Sequence, residues 1–249
     1  MKRLIIIPTF NESMNIPVLI KRIFKHIPEN SILVIDDGSP DGTAEIVESL
    51  QKEFSNLHIL KRKEKSGLGS AYRLGFKWGL DHGFIELVEM DADMSHRVRD
   101  LSKMIEAKNS APDTSLIIGS RWIKGGRTEN WSKARELLSR SANLYVRFML
   151  GMGVKDSTAG FRIYSVDILR KINLSAIRSE GYSFQIEMTR EVYESGGSII
   201  EMPITFRERE QGVSKMSKRI VIEALCRVSL WGAKSRFTNF SQRIFRVEK

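Results

Sequence analysis

The sequence predicts an α/β protein whose mostly parallel β-sheet is covered by helices on both faces. In the first hundred residues, short apolar runs bounded by turn residues or charges alternate with longer segments of helical apolar spacing. Strand–helix–strand repetition needs crossover connections, and these give parallel strands that are buried on both faces. A chain of 249 residues with 41% hydrophobic and 28% charged residues suits one large folded domain of this class, with or without a small appendage.

Strands and helices alternate in order along the amino-terminal half. Five compact apolar runs predict strands at Leu4–Pro8, Ile32–Ile35, Leu57–Leu60, Phe84–Met90 and Ser115–Gly119. Three segments with helical apolar spacing lie between them at Asn15–Ile27, Asp41–Phe54 and Leu101–Asn109. Because ligands of open parallel sheets bind beyond the carboxyl ends of the strands, the residues that follow each strand are the first candidates for a site.

Beyond Lys124 the regular alternation stops and amphipathic segments follow. Further elements are predicted as helices at Trp131–Met152, near Tyr182–Glu194 and from about Ser217 to Lys234, and as strands at Phe161–Tyr164 and Ile199–Phe206. We expect much of the apolar face of the first of these helices to pack on the sheet, and less of that of the last. The chain is therefore divided into a main domain at residues 1–210 and a basic amphipathic extension at residues 211–249.

The net charge of +10 lies unevenly along the chain. From Arg207 to Lys249 there are eleven Lys or Arg residues against four Asp or Glu residues. Such a segment favours an anionic partner, whether phosphate, nucleic acid or an acidic membrane surface, although a solvated helical face is the simpler alternative. No uncharged run approaches the ~20 residues that cross a bilayer. The single cysteine, Cys226, excludes an intramolecular disulfide framework and a cysteine-rich zinc site.

Two carboxylates, Asp91 and Asp93, follow the fourth predicted strand one residue apart. Alternate residues of a strand point to the same face, so the two side chains would project together and repel each other unless a cation lies between them. Mg²⁺ and Mn²⁺ take oxygen ligands, and Mg²⁺ is commonly held by one or two carboxylates plus substrate phosphates. An acidic surface turn is the alternative, and the triplet alone does not decide between them.

Two other segments follow predicted strands. Asp37 stands in a glycine- and proline-rich stretch that suits either a strand-to-helix turn or a carboxylate that accepts hydrogen bonds from a nucleobase. The segment Gly67–Gly75 resembles a phosphate-binding loop but has Tyr72 where the dinucleotide fingerprint has its third glycine. Tight helix packing through small residues is the better interpretation of that segment.

Four cations lie in or near predicted loops: Arg121, Arg135, Arg209 and Lys215. Arginine binds phosphate oxygens in bidentate fashion, and lysine acts as a point charge. For each residue alone, surface solvation is the simpler explanation. Jointly, they indicate a site that binds several phosphates.

A series of motifs occurs in a fixed order along the chain. In sequence they are Pro-Thr-Phe-Asn-Glu, Asp-Asp-Gly-Ser-Pro-Asp-Gly-Thr, Gly-Leu-Gly-Ser-Ala-Tyr, Met-Asp-Ala-Asp-Met-Ser-His, Gly-Ser-Arg, Ser-Thr-Ala-Gly-Phe-Arg and Gly-Val-Ser-Lys-Met. Over roughly Lys2 to Gly232 this set resembles the polyprenol (dolichol) phosphate mannosyltransferases, which are inverting family 2 glycosyltransferases with the Rossmann-like GT-A fold. The segment from Met216 to Gly232 is most similar to bacterial members of the actinobacterial type.

The resemblance implies an enzyme that transfers mannose from GDP-mannose to a polyprenyl monophosphate, with Mg²⁺ or Mn²⁺ as cofactor. It implies a guanosine pocket lined by Pro8, Phe10, Glu12, Ile35 and Asp37. It implies metal and diphosphate contacts from Asp91, Ala92 and Asp93, phosphate contacts from Arg121, Arg209 and Lys215, and acceptor-phosphate contacts from Arg121 and Arg135. The implied catalytic residues are Asp91, Asp93 and Arg121. Phe10 departs from the family, which usually has tyrosine there, so its ring can stack but a hydroxyl contact is lost.

The implied partners include a membrane surface. Residues 1–210 would form the GT-A catalytic domain, and the basic amphipathic helices would hold the enzyme peripherally on the cytoplasmic face, with a membrane-anchoring protein as a further expected partner. Transfer of glucose or N-acetylglucosamine to the same lipid is the alternative reaction. A pI near 9.7 suggests a nucleic-acid-binding protein as another alternative. That hypothesis does not explain the acidic residues at the strand ends, so no nucleic-acid partner is expected.

Overall fold

A central sheet of seven strands and a second sheet of two strands form the framework of the protein. The computed structural model describes residues 2–208 and 224–233. The strands are β1 (Arg3–Thr9), β2 (Ser31–Asp36), β3 (Leu57–Lys61), β4 (Glu86–Glu89), β5 (Leu116–Ser120), β6 (Arg127–Glu129), β7 (Arg162–Ser165), β8 (Ile199–Pro203) and β9 (Thr205–Arg207). The central sheet has the order β3-β2-β1-β4-β7-β5-β8, and β6 pairs with β9.

Helices cover both faces of the central sheet, as the sequence predicts. They are α1 (Ile16–His26), α2 (Thr43–Leu50), α3 (Leu68–Asp81), α4 (Val98–Ser110), α5 (Lys133–Leu150), α6 (Val166–Lys171), α7 (Gly181–Glu194) and α8 (residues 224–233). Apolar residues of α1, α2 and α4 form one core cluster with the sheet, and those of α3, α6 and α7 form another. The two clusters contain the alternate apolar residues of β1 and β2, which is why these strands read as continuous hydrophobic runs.

One strand of the central sheet runs against its neighbours. β1 pairs in parallel with β2 and β4, whereas β7 lies antiparallel between β4 and β5. The amino-terminal end of β7 therefore lies at the edge where β4 and β5 end. Residues that precede β7 join the loops that follow the parallel strands.

Several predicted elements differ in the structure. The predicted strand Ile199–Phe206 is divided at Ile204, so β8 extends the central sheet and β9 pairs with β6. The glycine segment begins α3, whose Gly75 faces Ile6 and Ile35 of the sheet, which confirms the packing interpretation. Of the predicted helix from about Ser217 to Lys234, residues 224–233 are helical, and the others lie outside the described residues.

The prediction that α5 packs much of its apolar face on the sheet is wrong. Only Asn143 and Val146 of this helix are buried, whereas Leu137, Leu144 and Phe148 are 67%, 60% and 69% exposed. Both faces of the sheet are already covered by other helices, so α5 instead lies against α8. The Tyr145 hydroxyl is 2.7 Å from the Ser229 hydroxyl, and Val146 joins a small cluster that includes Val228.

Within the two described ranges, no helix has both the length and the apolar character needed to cross a bilayer.

Candidate active site

A cavity of about 480 Å³ opens at the carboxyl edge of the central sheet. Its volume lies within the ~300–1,000 Å³ of small-molecule sites. The loops after β1, β2, β4 and β5, the segment before β7 and the first turn of α7 contribute to its walls. Nine of the residues singled out in the sequence line it: Pro8, Phe10, Glu12, Asp37, Asp91, Ala92, Asp93, Arg121 and Arg135.

The structure describes one of the other three residues singled out in the sequence, Ile35. Ile35 is fully buried in the α3-side core, because alternate residues of β2 point to opposite faces of the sheet. Its side chain therefore does not line the pocket for which it was proposed. Arg209 and Lys215 lie outside the described residues.

One end of the cavity is lined by an aromatic ring, a carboxylate and a cation, and a second cation holds the carboxylate. Arg62, directly after β3, donates from Nε to Oδ1 of the buried Asp37 at 2.6 Å and from Nη1 to the Ser70 hydroxyl at 2.8 Å. Lys65 lies with Nζ 4.4 Å from the centroid of the Phe10 ring. Neither cation was predicted from the sequence, although both follow a strand just as the acids do.

Asp91 and Asp93 line the middle of the cavity and are fixed by the turn that follows β4. The Asp91 amide donates to Nδ1 of His96 at 3.2 Å, and Oδ1 of Asp93 accepts from the Ser95 amide at 3.1 Å. Burial lowers the pKa of His96 to about 4; Asp93 opposes this shift and Arg121 adds to it. The imidazole is therefore neutral at pH 7, with its proton on Nε2, because Nδ1 accepts a hydrogen bond.

The donor chemistry of Asp91 and Asp93 fits a hard divalent cation. Both side chains offer carboxylate oxygens to the same cavity, and Nε2 of the neutral His96 lies 3.9 Å from Asp91 Oδ2. No group of three or more His, Cys, Asp or Glu residues suited to a metal ion occurs in the described part of the chain. Two carboxylates would leave the other coordination positions to water and to phosphate oxygens of a ligand, as in many Mg²⁺ sites.

Arg121 is a buried cation fixed by a buried carboxylate. Its Nε and Nη2 donate to the two oxygens of Asp156 at 2.8 and 2.7 Å, and Nη2 also donates to the Thr158 hydroxyl at 2.9 Å. Burial opposes the charge, but the attraction and hydrogen bonds of Asp156 raise the pKa of Arg121 above its ordinary value. Arg121 thus presents a fixed positive charge to the cavity. Sequence analysis did not identify Asp156.

Arg135 lies at the other end of the cavity, beside a second and apolar cavity. Its guanidinium lies 4.0 Å from the Trp131 ring centroid and donates from Nη1 to Glu208 at 2.5 Å. The second cavity, of about 60 Å³, lies between α5 and α8. Arg121, Trp131, Arg135 and Thr158 line both cavities, and Leu138, Ala142, Val146, Ile186, Leu225 and Val228 make the smaller one apolar. A molecule with an anionic head and an apolar tail fits this junction.

A buried polar pair lies behind the wall next to Asp91. Gln185, in the second turn of α7, lines the cavity and donates from Nε2 to Oε2 of the fully buried Glu89 at 2.8 Å. Burial raises the pKa of Glu89 to about 7, against the opposing effects of Arg162 and the Gln185 hydrogen bond. Neither residue was predicted from the sequence. Glu89 lay inside a predicted strand and Gln185 inside a predicted helix, without a local signal.

Comparison with known proteins gives a consistent result. The family model described as glycosyl transferase family 2 matches residues 4–173. The chain is 47% identical over 236 residues to the polyprenol monophosphomannose synthase of Mycolicibacterium smegmatis, covering 94% of this chain and 88% of that protein. It is 46% identical over 244 residues to the undecaprenyl-phosphate mannosyltransferase of Micrococcus luteus, covering 98% and 99% of the two chains.

Solved structures resemble this fold at low sequence identity. The glucosyl-3-phosphoglycerate synthase of Mycobacterium tuberculosis in complex with phosphoglyceric acid superposes with a TM-score of 0.70 at 16% identity, covering 92% of this chain and 80% of that one. The same enzyme with Mn²⁺, UDP-glucose and phosphoglyceric acid gives 0.68 at 17% identity, covering 91% and 79%. These similarities confirm the GT-A fold.

Proposed function

The chain belongs to glycosyl transferase family 2 and is a glycosyltransferase, and on that premise we propose that it transfers mannose from GDP-mannose to a polyprenyl monophosphate. One observation carries the proposal above all. Arg121 and Arg135 stand at the junction of a polar cavity that contains Asp91 and Asp93 and an apolar cavity between α5 and α8. The two relatives at 46–47% identity are named for mannosyl transfer to polyprenyl lipids, which fits this junction.

The donor would lie along the polar cavity. Phe10 and Glu12 would contact guanosine, and Asp37, oriented by Arg62, would accept hydrogen bonds from the base. Asp91 and Asp93 would hold Mg²⁺ or Mn²⁺ against the diphosphate. When bound, such an ion would neutralise the charge that develops on the departing GDP. Lys65 and Arg121 would add fixed positive charge, and the charges proposed for Arg209 and Lys215 would act in the same way.

The acceptor phosphate would lie between Arg121 and Arg135. A phosphate monoester has a second pKa near ~6, so its attacking oxygen is already anionic at neutral pH and needs no general base. The oxygen forms a bond to the anomeric carbon as the bond from that carbon to GDP breaks, and the electron pair leaves with GDP. Direct displacement of α-linked mannose gives the β-linked mannosyl phospholipid.

The prenyl chain and the membrane would lie on the side of α5 and α8. The apolar cavity begins at the two arginines, and α5 presents the exposed Leu137 and Leu144 together with Arg140. This combination suits a helix that lies in the interface of an anionic bilayer. We therefore propose that the enzyme lies peripherally at the cytoplasmic face of the membrane, with a membrane-anchoring protein as a further partner.

The acceptor and the stereochemistry test this proposal. Purified protein is incubated with GDP-mannose, Mg²⁺ and either polyprenyl phosphate or the corresponding polyprenol. Mannosyl lipid is expected with the phosphate only, and NMR of the anomeric proton should give the β configuration. Mannosylation of the free alcohol, or an α product, would contradict the mechanism.

A further inference from the structure

The Gln185–Glu89 pair supplies a polar group that the reaction described above does not use. Gln185 is 2% exposed and lines the polar cavity, and Glu89 is fully buried at the end of β4. Burial of polar side chains is costly unless they are hydrogen-bonded, so a buried polar pair at the wall of a cavity is unusual.

Glu89 determines which way the Gln185 amide points. The amide nitrogen faces Glu89, because Nε2 donates to Oε2 at 2.8 Å. Oε1 of Gln185 is buried and has no hydrogen-bond partner within residues 2–208 and 224–233. Nε2 carries a second hydrogen that the Glu89 bond does not use. The amide can therefore accept one hydrogen bond and donate another.

Gly160 leaves open space between this amide and Asp91. A Cβ atom built on Gly160 would lie 3.7 Å from Nε2 of Gln185 and 4.0 Å from Oδ1 of Asp91, with no closer neighbour outside adjacent residues. A small polar group in that space would contact both side chains. Gly160 also lines the cavity. Its φ is not positive, so the backbone conformation does not require glycine at this position, and the absence of a side chain provides space.

We propose that Gln185 binds a hydroxyl of the transferred sugar in the space beside Gly160, with Glu89 as its positioning residue. The inference rests on the proposed function, because it places the sugar next to the diphosphate held at Asp91. The oxygen of a hydroxyl can accept the hydrogen of Nε2 that the Glu89 bond does not use. Gln185 is thereby a specificity-determining residue of the donor site.

The test is discrimination between a sugar and its deoxy analogues. Wild type, Gln185→Ala, Glu89→Gln and Gly160→Ala are assayed with GDP-mannose and with its single-deoxy derivatives, and kcat and KM are measured separately. One hydrogen bond to a hydroxyl corresponds to a preference of roughly 10-fold in kcat/KM. Wild type should show such a preference against one deoxy donor, and Gln185→Ala should lose it.

The other variants make the expectation specific. Glu89→Gln can present either amide atom to Gln185, so the preference should fall without loss of the pocket. Gly160→Ala fills the space with a methyl group, so it should slow transfer of mannose more than transfer of the relevant deoxy sugar. Asn30→Ala, a truncated buried amide at the opposite edge of the sheet, is the matched control and should keep the full preference. Binding of GDP, measured by calorimetry, reports folding of each variant.

A uniform loss would overturn the inference. If Gln185→Ala binds GDP normally and slows mannose and every deoxy donor by the same factor, Gln185 does not contact a sugar hydroxyl. If wild type transfers no mannose but uses another nucleotide sugar, the proposed function fails, and the deoxy series of that sugar then tests Gln185 in the same way.

Discussion

Three charged side chains at the site are each held by a second residue of opposite charge that fixes their direction. Asp156 binds Arg121 through two hydrogen bonds, Arg62 binds Asp37, and Glu208 binds Arg135. A charge held in this way is already oriented before a ligand arrives. The site therefore depends on residues that contact no substrate.

Replacing Asp156 by Asn should destabilise the fold, because Arg121 is 4% exposed and would remain as an unpaired buried charge. Loss of one partner of such a pair costs about 3–5 kcal/mol. Urea denaturation measures the change. The matched control is Asp81→Asn, which breaks the exposed pair with Lys77 and should change stability by less than about 0.5 kcal/mol. Equal stability of the two variants would show that Asp156 is not needed to hold Arg121.

Replacing Asp93 by Ala should abolish metal-dependent turnover, because one of two proposed carboxylate ligands is removed. We expect a fall in kcat of at least about 100-fold with saturating Mg²⁺. Radiolabel transfer measures activity, circular dichroism reports the fold, and Asp81→Ala is the control for loss of an acid elsewhere. Undiminished turnover would overturn the metal assignment.

The residues of the site divide into those that the sequence could predict and those that it could not. Acids and cations that follow β1, β2, β4 and β5 come together because parallel strands end at one edge. Gln185 reaches the cavity from α7, and Asp156 holds Arg121 from the segment before β7. The antiparallel position of β7 has no signal in its own residues. The side chain of Ile35 lies in the core and not in the cavity, because alternate residues of a strand point to opposite faces of the sheet.

Among the elements, α3 depends on close approach to the sheet. A methyl group at Gly75 would lie 2.6 Å from Cγ2 of Ile6 and 2.9 Å from Cδ1 of Ile35. Overpacking typically costs about 1–3 kcal/mol. This cost is as large as or larger than the ~1 kcal/mol by which alanine is favoured over glycine in a helix. Gly75→Ala should therefore lower the free energy of unfolding in urea.

Gly153→Ala is the matched control for this packing, because a Cβ atom added at Gly153 would have no neighbour within 4 Å and the φ of this residue is not positive. Its stability should stay within about 0.5 kcal/mol of wild type. If Gly75→Ala proved as stable as Gly153→Ala, α3 would not need its small residues to pack.

The exposed apolar face of α5 should contribute to membrane binding. The double variant Leu137→Gln and Leu144→Gln should sediment with anionic vesicles at least about 10-fold less strongly, because each buried leucine contributes roughly 1.5–3 kcal/mol. Ile85→Thr, which alters a half-exposed residue just before β4, is the control and should sediment like wild type. Equal sedimentation of all three proteins would exclude this face as the contact.

The basic carboxyl terminus should add to the same affinity. Removal of Arg236–Lys249 takes away four cations and one acid, and each cation near an anionic surface contributes about 1 kcal/mol. Weaker sedimentation is expected, with a smaller difference at high salt. An unchanged affinity would restrict the contact to the rest of the chain.

Helices and strands were predictable where the local pattern matched their surroundings. The regular strand–helix alternation predicted the sheet, because buried parallel strands are continuous apolar runs. The pattern of α5 did not reveal its environment, since an amphipathic helix looks the same whether a sheet, another helix or a membrane covers its apolar face. Similarly, the division of Ile199–Phe206 into β8 and β9 depends on pairing with β6, a distant segment.

At the scale of the whole molecule, a polar cavity, two fixed arginines and an apolar cavity follow one another, beside a helix face that suits a membrane. This order suits a reaction in which a water-soluble donor meets a lipid phosphate. The division into a catalytic domain at residues 1–210 and an extension at 211–249 remains a prediction, although α8 packs against α5.

A competition between donors tests the central claim most directly. The protein is given equal amounts of GDP-mannose, UDP-glucose and UDP-N-acetylglucosamine, each carrying a different isotope, together with vesicles of polyprenyl phosphate and Mg²⁺. We predict that the mannose label alone becomes extractable with the lipid, and that Asp93→Ala transfers none. Lipid-extractable glucose or N-acetylglucosamine label in place of mannose would contradict the account.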